Sequence, residues 1–396
     1  MRKLKIITSG ESHGKGLVGI IDGLPSGIPI ESEEIDRDLM RRQGGYGRGG
    51  RMQIESDHAD ILSGVRWGKS LGSTISVFVE NRDWMNWKQG MSAEMKDIGS
   101  IQPVTRPRPG HADLPGGIKY QTRDFRNILE RSSARETAAR VALGAIAKRF
   151  LGEVGIFVGS FVDGIGSVKS RTAIPVNDKT LLKMFSAAEK SPVRCPDHND
   201  SKRMVSYIDK AIKLRNSLGG TFTVFATGVP IGLGSHVQWD RKLDAMLAMA
   251  VMSIQAIKGV EIGMGFNAAE ALGSDVMDEI YFDNASRAGL PFYRKSNNAG
   301  GIEGGMSNGM PIVIHAAMKP IPTLKKPLRS IDIITKQKVN AAYERSDVCA
   351  VPAASVVGEA MVALTLADAF LDKLGGDSMG EIKANYGNYL SQVKAY

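Results

Sequence analysis

A chain of 396 residues with 42% hydrophobic side chains can bury a large core, which excludes disorder as its general state. Its formal net charge of +9 fits an anionic partner and leaves nucleic acid, membrane surface and small metabolite open. The opening residues Met1 to Thr8 hold no apolar stretch of signal-peptide length, no run of about 18 apolar residues is available to span a membrane, and Cys195 and Cys349 fit no disulfide framework, so the expected setting is a reducing cytoplasm without a membrane anchor.

In chain order, the first predicted strands are Leu4–Thr8, Leu17–Asp22 and Ser73–Val79, where Ile75, Val77 and Val79 alternate as a sheet with one buried face requires. Helical periodicity then runs from Ser133 to Leu151. Strands are expected at Ile156–Val162 and Thr221–Thr227, and the stretch between them from Lys169 to Arg215 is more polar and reads as peripheral. A second helix, Asp240 to Lys258, carries Leu243, Leu247, Val251 and Ile254 on one stripe, and Met246, Met249 and Met252 widen it beyond a surface helix's share. A last strand, Pro311–Ala317, precedes a third helix from about Ala354 to Leu374, apolar on nearly every side apart from Glu359 and Asp368. Helices of this kind sit inside a protein, so the expected class is α+β with central helices covered by sheets. No linker of low complexity and no fixed-period repeat divides the chain, so residues 1–396 read as a single domain with a polar peripheral stretch at about 169–215.

The chemistry is carried by loops. Six arginines and two histidines lie in short glycine- and proline-rich stretches: Gly10-Glu11-Ser12-His13-Gly14, Arg41 and Arg42 with Gly44 to Arg51, and Arg106-Pro107-Arg108-Pro109-Gly110-His111. Arginines on segments that cannot be helical are aimed at something, and a guanidinium fork suits phosphate and carboxylate. These residues read as a site for a small, highly charged anion. Gly44–Arg51 also resembles an RGG box, yet RNA-binding tails of that kind are repetitive and disordered, whereas this segment is single and embedded between a helix and a strand. A flexible solvated turn is the other reading of the segment.

Ser133-Ala134-Arg135-Glu136 has the spacing of a capping box, which would set Arg131, Ser132 and Ser133 at a helix N-terminus where an anion is favoured; an ordinary cap is the alternative. His13 and His111 each sit among glycines beside Ser12 or Arg108, placed to act as acid toward a leaving phosphate, or else as structural loop histidines. His58, His198, His236 and His315 show no partner pattern, and His315 reads as a strand residue. No His/Cys/Asp spacing matches a metal-ligand set. Gly263 to Ala268 mimics a dinucleotide fingerprint, but Gly273 leaves no room for the helix that should follow. Asn298 to Gly309 is a glycine loop that either approaches a flat ligand or serves as a linker. In Glu344 to Cys349 an arginine stands two residues from Asp347, at the spacing of a local ion pair.

Taken together, the ordered set Gly10–Gly14, Arg42–Arg51, Arg106–Asp113, Glu130–Thr137, Gln255–Gly263, Asn298–Gly309, Lys319–Thr323 and Glu344–Pro352 resembles the chorismate synthase family through nearly the whole chain. The resemblance implies a β-α-β sandwich with antiparallel sheets flanking long core helices, a homotetramer, and conversion of 5-enolpyruvylshikimate 3-phosphate to chorismate and phosphate with reduced FMN. It implies that Arg42, Arg48, Arg51, Arg108, Arg135 and Arg345, with Ser12 and Ser133, surround the substrate's anionic groups. His13 would protonate the departing phosphate, His111 would face the N1 and O2 edge of the flavin, and Asp347 would pass on a proton near its N5. Arg131, Ser132, Ser133, Gln255, Ala256, Gly304, Lys319, Pro320, Ile321, Pro322, Thr323 and Arg345 would grip FMN. No extra reductase segment is present, so the resemblance points to a type fed by an external flavin reductase, with NADPH as an indirect reductant. Two other readings stand beside it: a basic RNA-binding protein and an ordinary flavin oxidoreductase.

Overall fold

The computed structural model describes residues 3–49, 56–172, 174–283, 291–342 and 346–396, and Arg51 and Arg345 lie outside them. Period-two burial builds the first sheet. β1 (Lys5–Ser9) pairs with β2 (Gly16–Asp22), where Leu17 and Ile21 turn inward. β3 (Ser26–Pro29) leads into α1 (Ser32–Gln43), which buries Ile35 and Leu39 and carries Arg41 and Arg42 in its last turn. β4 (Ala59–Ser63), β5 (Val65–Arg66), β6 (Lys69–Leu71) and β7 (Ile75–Glu80) follow, and β7 buries Ile75, Val77 and Val79 as their alternation predicts. The antiparallel order is β1-β2-β7-β4, with β3-β6-β5 as a small separate sheet.

Three short helices come next: α2 (Trp84–Trp87), α3 (Asp113–Lys119) and α4 (Arg126–Ser132). The alanine-rich α5 (Thr137–Gly152) starts later than predicted. Ser133 caps a single 3-10 turn, Ala134–Glu136, by accepting the Arg135 N–H at 3.3 Å. Glu136 turns to Arg140 and Gln255 instead of completing a capping box. Arg131 and Ser132 therefore belong to the last turn of α4, not to a helix N-terminus.

The second sheet uses β8 (Phe157–Ile165), β9 (Val168–Lys169) and β10 (Gly220–Thr227). The polar stretch between β9 and β10 folds into α6 (Asp178–Ala188) and α7 (His198–Lys213), capped by the Asn177 and Asp197 side chains. Leu181, Met184 and Ala188 of α6 close over Phe161 and Phe225 as a satellite core. α8 (Leu243–Met252) buries Leu247 and Val251 but leaves Met249 and Met252 exposed, so the methionines face outward and the helix is narrower than its sequence implied. It also stops short of Lys258. Ala256 adopts φ +67°, which an α-helix cannot accommodate, and the segment after it, with β-branched Ile257, Val260 and Ile262, forms β11 (Ile257–Ile262).

The small α9 (Gly273–Val276), β12 (Tyr281–Phe282) and β13 (Phe292–Tyr293) precede the hairpin of β14 (Ile302–Glu303) and β15 (Met306–Ser307). Gly304 at φ +58° and Gly305 at φ +85° make its two-residue turn, a conformation that favours glycine at both positions. β16 (Ile312–Met318) then completes the antiparallel order β11-β16-β10-β8-β9. His315 is a strand residue of β16, with its Nδ1 2.8 Å from the Thr223 hydroxyl. After the hairpin of β17 (Arg329–Ile331) and β18 (Lys338–Asn340), the chain ends in α10 (Val351–Leu374) and α11 (Met379–Ala395).

α5 packs on β2 and β7, α10 packs on β8 and β10, and the two helices pack on each other. The fold is thus α+β, with antiparallel sheets and buried helices. Gly144 permits the helix contact, since a Cβ there would lie 2.3 Å from that of Ala360. α10 is long and apolar enough to cross a bilayer, yet 89% of its most apolar stretch is buried inside the protein. Its two buried charges have partners. Asp368 accepts the Leu4 N–H at 2.9 Å, and Glu359 accepts from Arg41, Arg194, Ser160 and Lys148.

Candidate active site

The β1–β2 connection presents Ser12 and His13 to α4. The Ser12 N–H donates to the Glu130 carbonyl at 3.0 Å, and the His13 N–H donates to Glu130 Oε2 at 2.7 Å. His13 Nδ1 lies 2.8 Å from Glu130 Oε1, which also accepts from Arg126 at 3.0 Å. The imidazole packs on Trp87 at a centroid distance of 4.2 Å, and Arg126 covers the same indole. Burial pushes the Glu130 carboxyl up, but hydrogen bonds from His13 and the charge of Arg126 outweigh it and hold the group below its ordinary value.

A second carboxylate organises two arginines beside this loop. Asp57 accepts from Arg135 Nη1 at 2.6 Å and from Arg42 Nη2 at 2.7 Å. Arg135 Nε donates to Asn81 Oδ1, and the Asn81 amide donates to the carbonyls of Glu11 and Gly14. One buried amide therefore ties the arginine pair to the Ser12–His13 loop. Burial, opposed by Asp57 and reinforced by the nearby charges of Arg135 and Arg48, pulls Arg42 below its ordinary value. Burial raises Asp57, and the two guanidiniums more than reverse it.

Arg48 reaches Asp347 at 2.8 Å, and Asp347 also accepts the Gly49 N–H at 2.6 Å. The segment around them is tied down: Val348 N–H donates to the Gly47 carbonyl at 2.8 Å, and the Tyr46 hydroxyl donates to Asp209 at 2.7 Å. Residues 44–49 form a folded loop and not a free tail. Among the described residues Arg48 is the arginine that pairs with Asp347; Arg345, the sequence neighbour, falls outside them.

Ser346 continues the chain of contacts to a fourth group, donating to the Thr323 carbonyl at 3.1 Å. Asp113, fully buried, accepts from Arg108 Nε at 2.9 Å and lies 2.6 Å from His111 Nδ1. Burial raises its carboxyl, and the hydrogen bonds of His111 and Arg108 hold it well below the usual range. Arg108 also donates to the Thr323 hydroxyl, and Lys319 to the Gly110 carbonyl. Beside them opens a cleft of about 490 Å³ lined by Pro107, Arg108, His111, Leu114, Arg329 and Lys338.

The remaining expected ligand contacts are scattered along this band. Lys319 N–H donates to the Ala256 carbonyl, which brings the turn Lys319-Pro320-Ile321-Pro322-Thr323 against Gln255 and Ala256. Ser217 pins that turn by donating to the Ile321 carbonyl. Gln255 donates its amide to Glu136 at 2.6 Å, while its Oε1 is buried without a partner among the described residues. Ser132 donates back into α4. Arg131 donates to the Thr8 and Gly10 carbonyls, so its guanidinium braces the end of β1. Gly304 stands apart, since Gly305 accepts at the start of α8 and Gln255 follows the other end, roughly 15 Å along the helix.

Sequence reasoning passed over Asp57, Asn81, Asp113, Arg126 and Glu130. Only the spacing of Arg126 and Glu130 on one helical face carried a local signal. Among the described residues no cluster of three or more His, Cys, Asp or Glu side chains could hold a metal ion.

The family model described as chorismate synthase matches residues 4–371. The chorismate synthase of Aquifex aeolicus (strain VF5) is 57% identical over 401 residues, covering 100% of both chains. That of Geobacter sulfurreducens (strain ATCC 51573 / DSM 12127 / PCA) is 58% identical over 397 residues, covering 99% of this chain and 100% of the relative. A crystal structure of chorismate synthase superposes with a TM-score of 0.81 at 46% identity, covering 100% of each chain. With the arginine, histidine and carboxylate groups joined in one band and similarity along its whole length, the chain belongs to the chorismate synthase family of enzymes.

Proposed function

We propose that the protein catalyses the 1,4-elimination of phosphate from 5-enolpyruvylshikimate 3-phosphate to give chorismate, the last shared step toward the aromatic amino acids, in the presence of reduced FMN. The observation that carries this reading is the sharing of three buried carboxylates between pairs of basic groups: Glu130 by His13 and Arg126, Asp57 by Arg42 and Arg135, Asp113 by Arg108 and His111. Each trio is cationic when its histidine is protonated or when both partners are arginines. A substrate with two carboxylates and a phosphate matches that field.

In the mechanism, Arg42, Arg48, Arg108 and Arg135 bind and orient the substrate's anionic groups, aided by Ser12 and Ser133. Arg51 and Arg345, outside the described residues, complete that set. His13 gives a proton to the departing phosphate oxygen, and the arginines stabilise the charge developing on it. Asp347, held by Arg48 and the Gly49 N–H, accepts on a carboxylate oxygen the proton lost from the ring. His111, braced by Asp113, donates a hydrogen bond toward negative charge at the cofactor.

The residues present fit a flavin. Gln255 offers a buried oxygen with no partner among the described residues, and the proline-stiffened turn Lys319–Thr323, joined to the Ala256 carbonyl by the Lys319 N–H, carries a lysine and a hydroxyl. Gln255, Ala256, Ser132, Ser133, Arg131, Gly304, Lys319 to Thr323 and Arg345 would hold FMN. Reduced FMN, when bound, supplies electron density to the allylic system, so that phosphate leaves a ring whose C–H is barely acidic. We propose further that the layers form the family's β-α-β sandwich and that the protein is a cytoplasmic homotetramer whose FMN is reduced by an external flavin reductase, NADPH acting at one remove.

The test is anaerobic. Protein, 5-enolpyruvylshikimate 3-phosphate and chemically reduced FMN are mixed, and chorismate absorbance is followed together with released phosphate. Equal amounts of both, only with reduced flavin, are expected. FMN binding without product would leave an ordinary flavin oxidoreductase, and product from oxidised FMN plus NADPH alone would make the enzyme its own reductase.

A further inference from the structure

We propose that Glu130 is a positioning residue for His13, fixing the proton of the imidazole on Nδ1 so that Nε2 is the nitrogen that gains and gives the catalytic proton. The inference rests on reading His13 as the acid. Glu130 reaches the loop from 117 positions away and binds it at three points: its carbonyl takes the Ser12 N–H, and its carboxylate takes the His13 N–H and faces His13 Nδ1. The side chain is 2% exposed, so these contacts are not diluted by water. An ionised carboxylate only accepts hydrogen bonds, and Glu130 is held ionised by its partners. His13 Nδ1 must then donate in both charge states of the ring, which leaves Nε2 as the titrating atom.

The same geometry sets the charge that His13 feels. The Glu130 carboxylate at the Nδ1 edge is shared with Arg126, and Trp87 of α2, packed on the imidazole, contributes an uncharged ring. Glu130 pairs with Arg126 and holds the ring by its Nδ1 edge. In Glu130→Gln the ring loses the negative charge 2.8 Å from its Nδ1, which disfavours the protonated form.

The deciding experiment compares Glu130→Gln, Glu130→Asp and His13→Ala with wild type, measuring kcat and KM against pH with saturating reduced FMN. For Glu130→Gln, kcat falls on the order of tenfold to a hundredfold, with KM within about threefold. The alkaline limb of its profile moves about one pH unit lower. Glu130→Asp, which keeps the charge, leaves the limb in place. A Glu130→Gln profile with the wild-type limb, alongside an inactive His13→Ala, overturns this proposal alone. A fully active His13→Ala overturns both this proposal and the assignment of His13. Should Glu130→Gln fail to fold, nitrogen NMR of ¹⁵N-histidine-labelled wild type decides: the neutral His13 resonances, identified by their loss in His13→Ala, report the Nδ1–H tautomer. An Nε2–H tautomer would refute it.

Discussion

Asp57 and Arg135 meet at 2.6 Å between two buried side chains, and the second oxygen of the same carboxylate serves Arg42 at 2.7 Å. One anion thus holds two guanidiniums apart and aims them together. The first prediction follows from removing it. Asp57→Asn leaves two buried cations with no counter-charge between them, a change that costs about 3 kcal/mol of stability. Inorganic phosphate can stand in for the lost carboxylate, so it should raise the thermal midpoint of the variant more than that of wild type. Equal shifts in thermal unfolding with and without phosphate would show that the arginines do not form an anion site.

Glu359 plays the corresponding part inside the helix core. It is fully buried, and Arg41, Lys148 and Arg194 converge on it with the Ser160 hydroxyl. Burial raises its carboxyl, and the three cations together drive it well below the ordinary range. A carboxyl depressed in the folded state contributes stability above its unfolded value, about 4.3, and loses it as pH falls through the folded value. Wild-type stability should therefore fall from about pH 5 downward, with Glu359 among the causes. Glu359→Gln should cost about 3 kcal/mol at pH 7 and flatten that acid limb. Urea midpoints at a series of pH values check both, and an unflattened limb would assign the acid sensitivity to other carboxylates.

These two networks also mark where the sequence stops being legible. β7 and α10 could be read because their signals are local: alternation in Ile75, Val77 and Val79, and unbroken apolarity in the last long helix. Arg48, Arg108, His13 and His111 could be read because glycine and proline leave them no helix to decorate, whereas Arg42 ends α1. Asp57 and Glu130 could not. Asp57 lies 78 positions from Arg135, and Glu130 lies 117 from His13, so only the closed fold brings them together. The end of α8 was misplaced for a different reason, because apolar periodicity continues through Ile254 while the backbone at Ala256 leaves the helical region. A left-handed alanine has no signature in composition.

Asp163 gives the last prediction, on the outer face of the second sheet. Its carboxylate receives the Thr223 hydroxyl at 2.8 Å, and His315 Nδ1 stands 2.8 Å from the same hydroxyl. Burial pushes Asp163 up to about 7, only partly relieved by Thr223, and burial also lowers His315. A carboxyl whose folded value exceeds its unfolded value of about 3.9 costs stability progressively as pH rises from about 4, and fully above about 7. Asp163→Asn keeps an acceptor for Thr223 and removes the charge. It should stabilise the protein by about 2 kcal/mol at pH 8, with the gain shrinking toward zero near pH 4. Thermal midpoints of variant and wild type at pH 4, 6 and 8 are the measurement. A gain independent of pH would mean that shape and not ionisation governs this site, and a loss at pH 8 would mean that the charged form of Asp163 is paired in the folded protein.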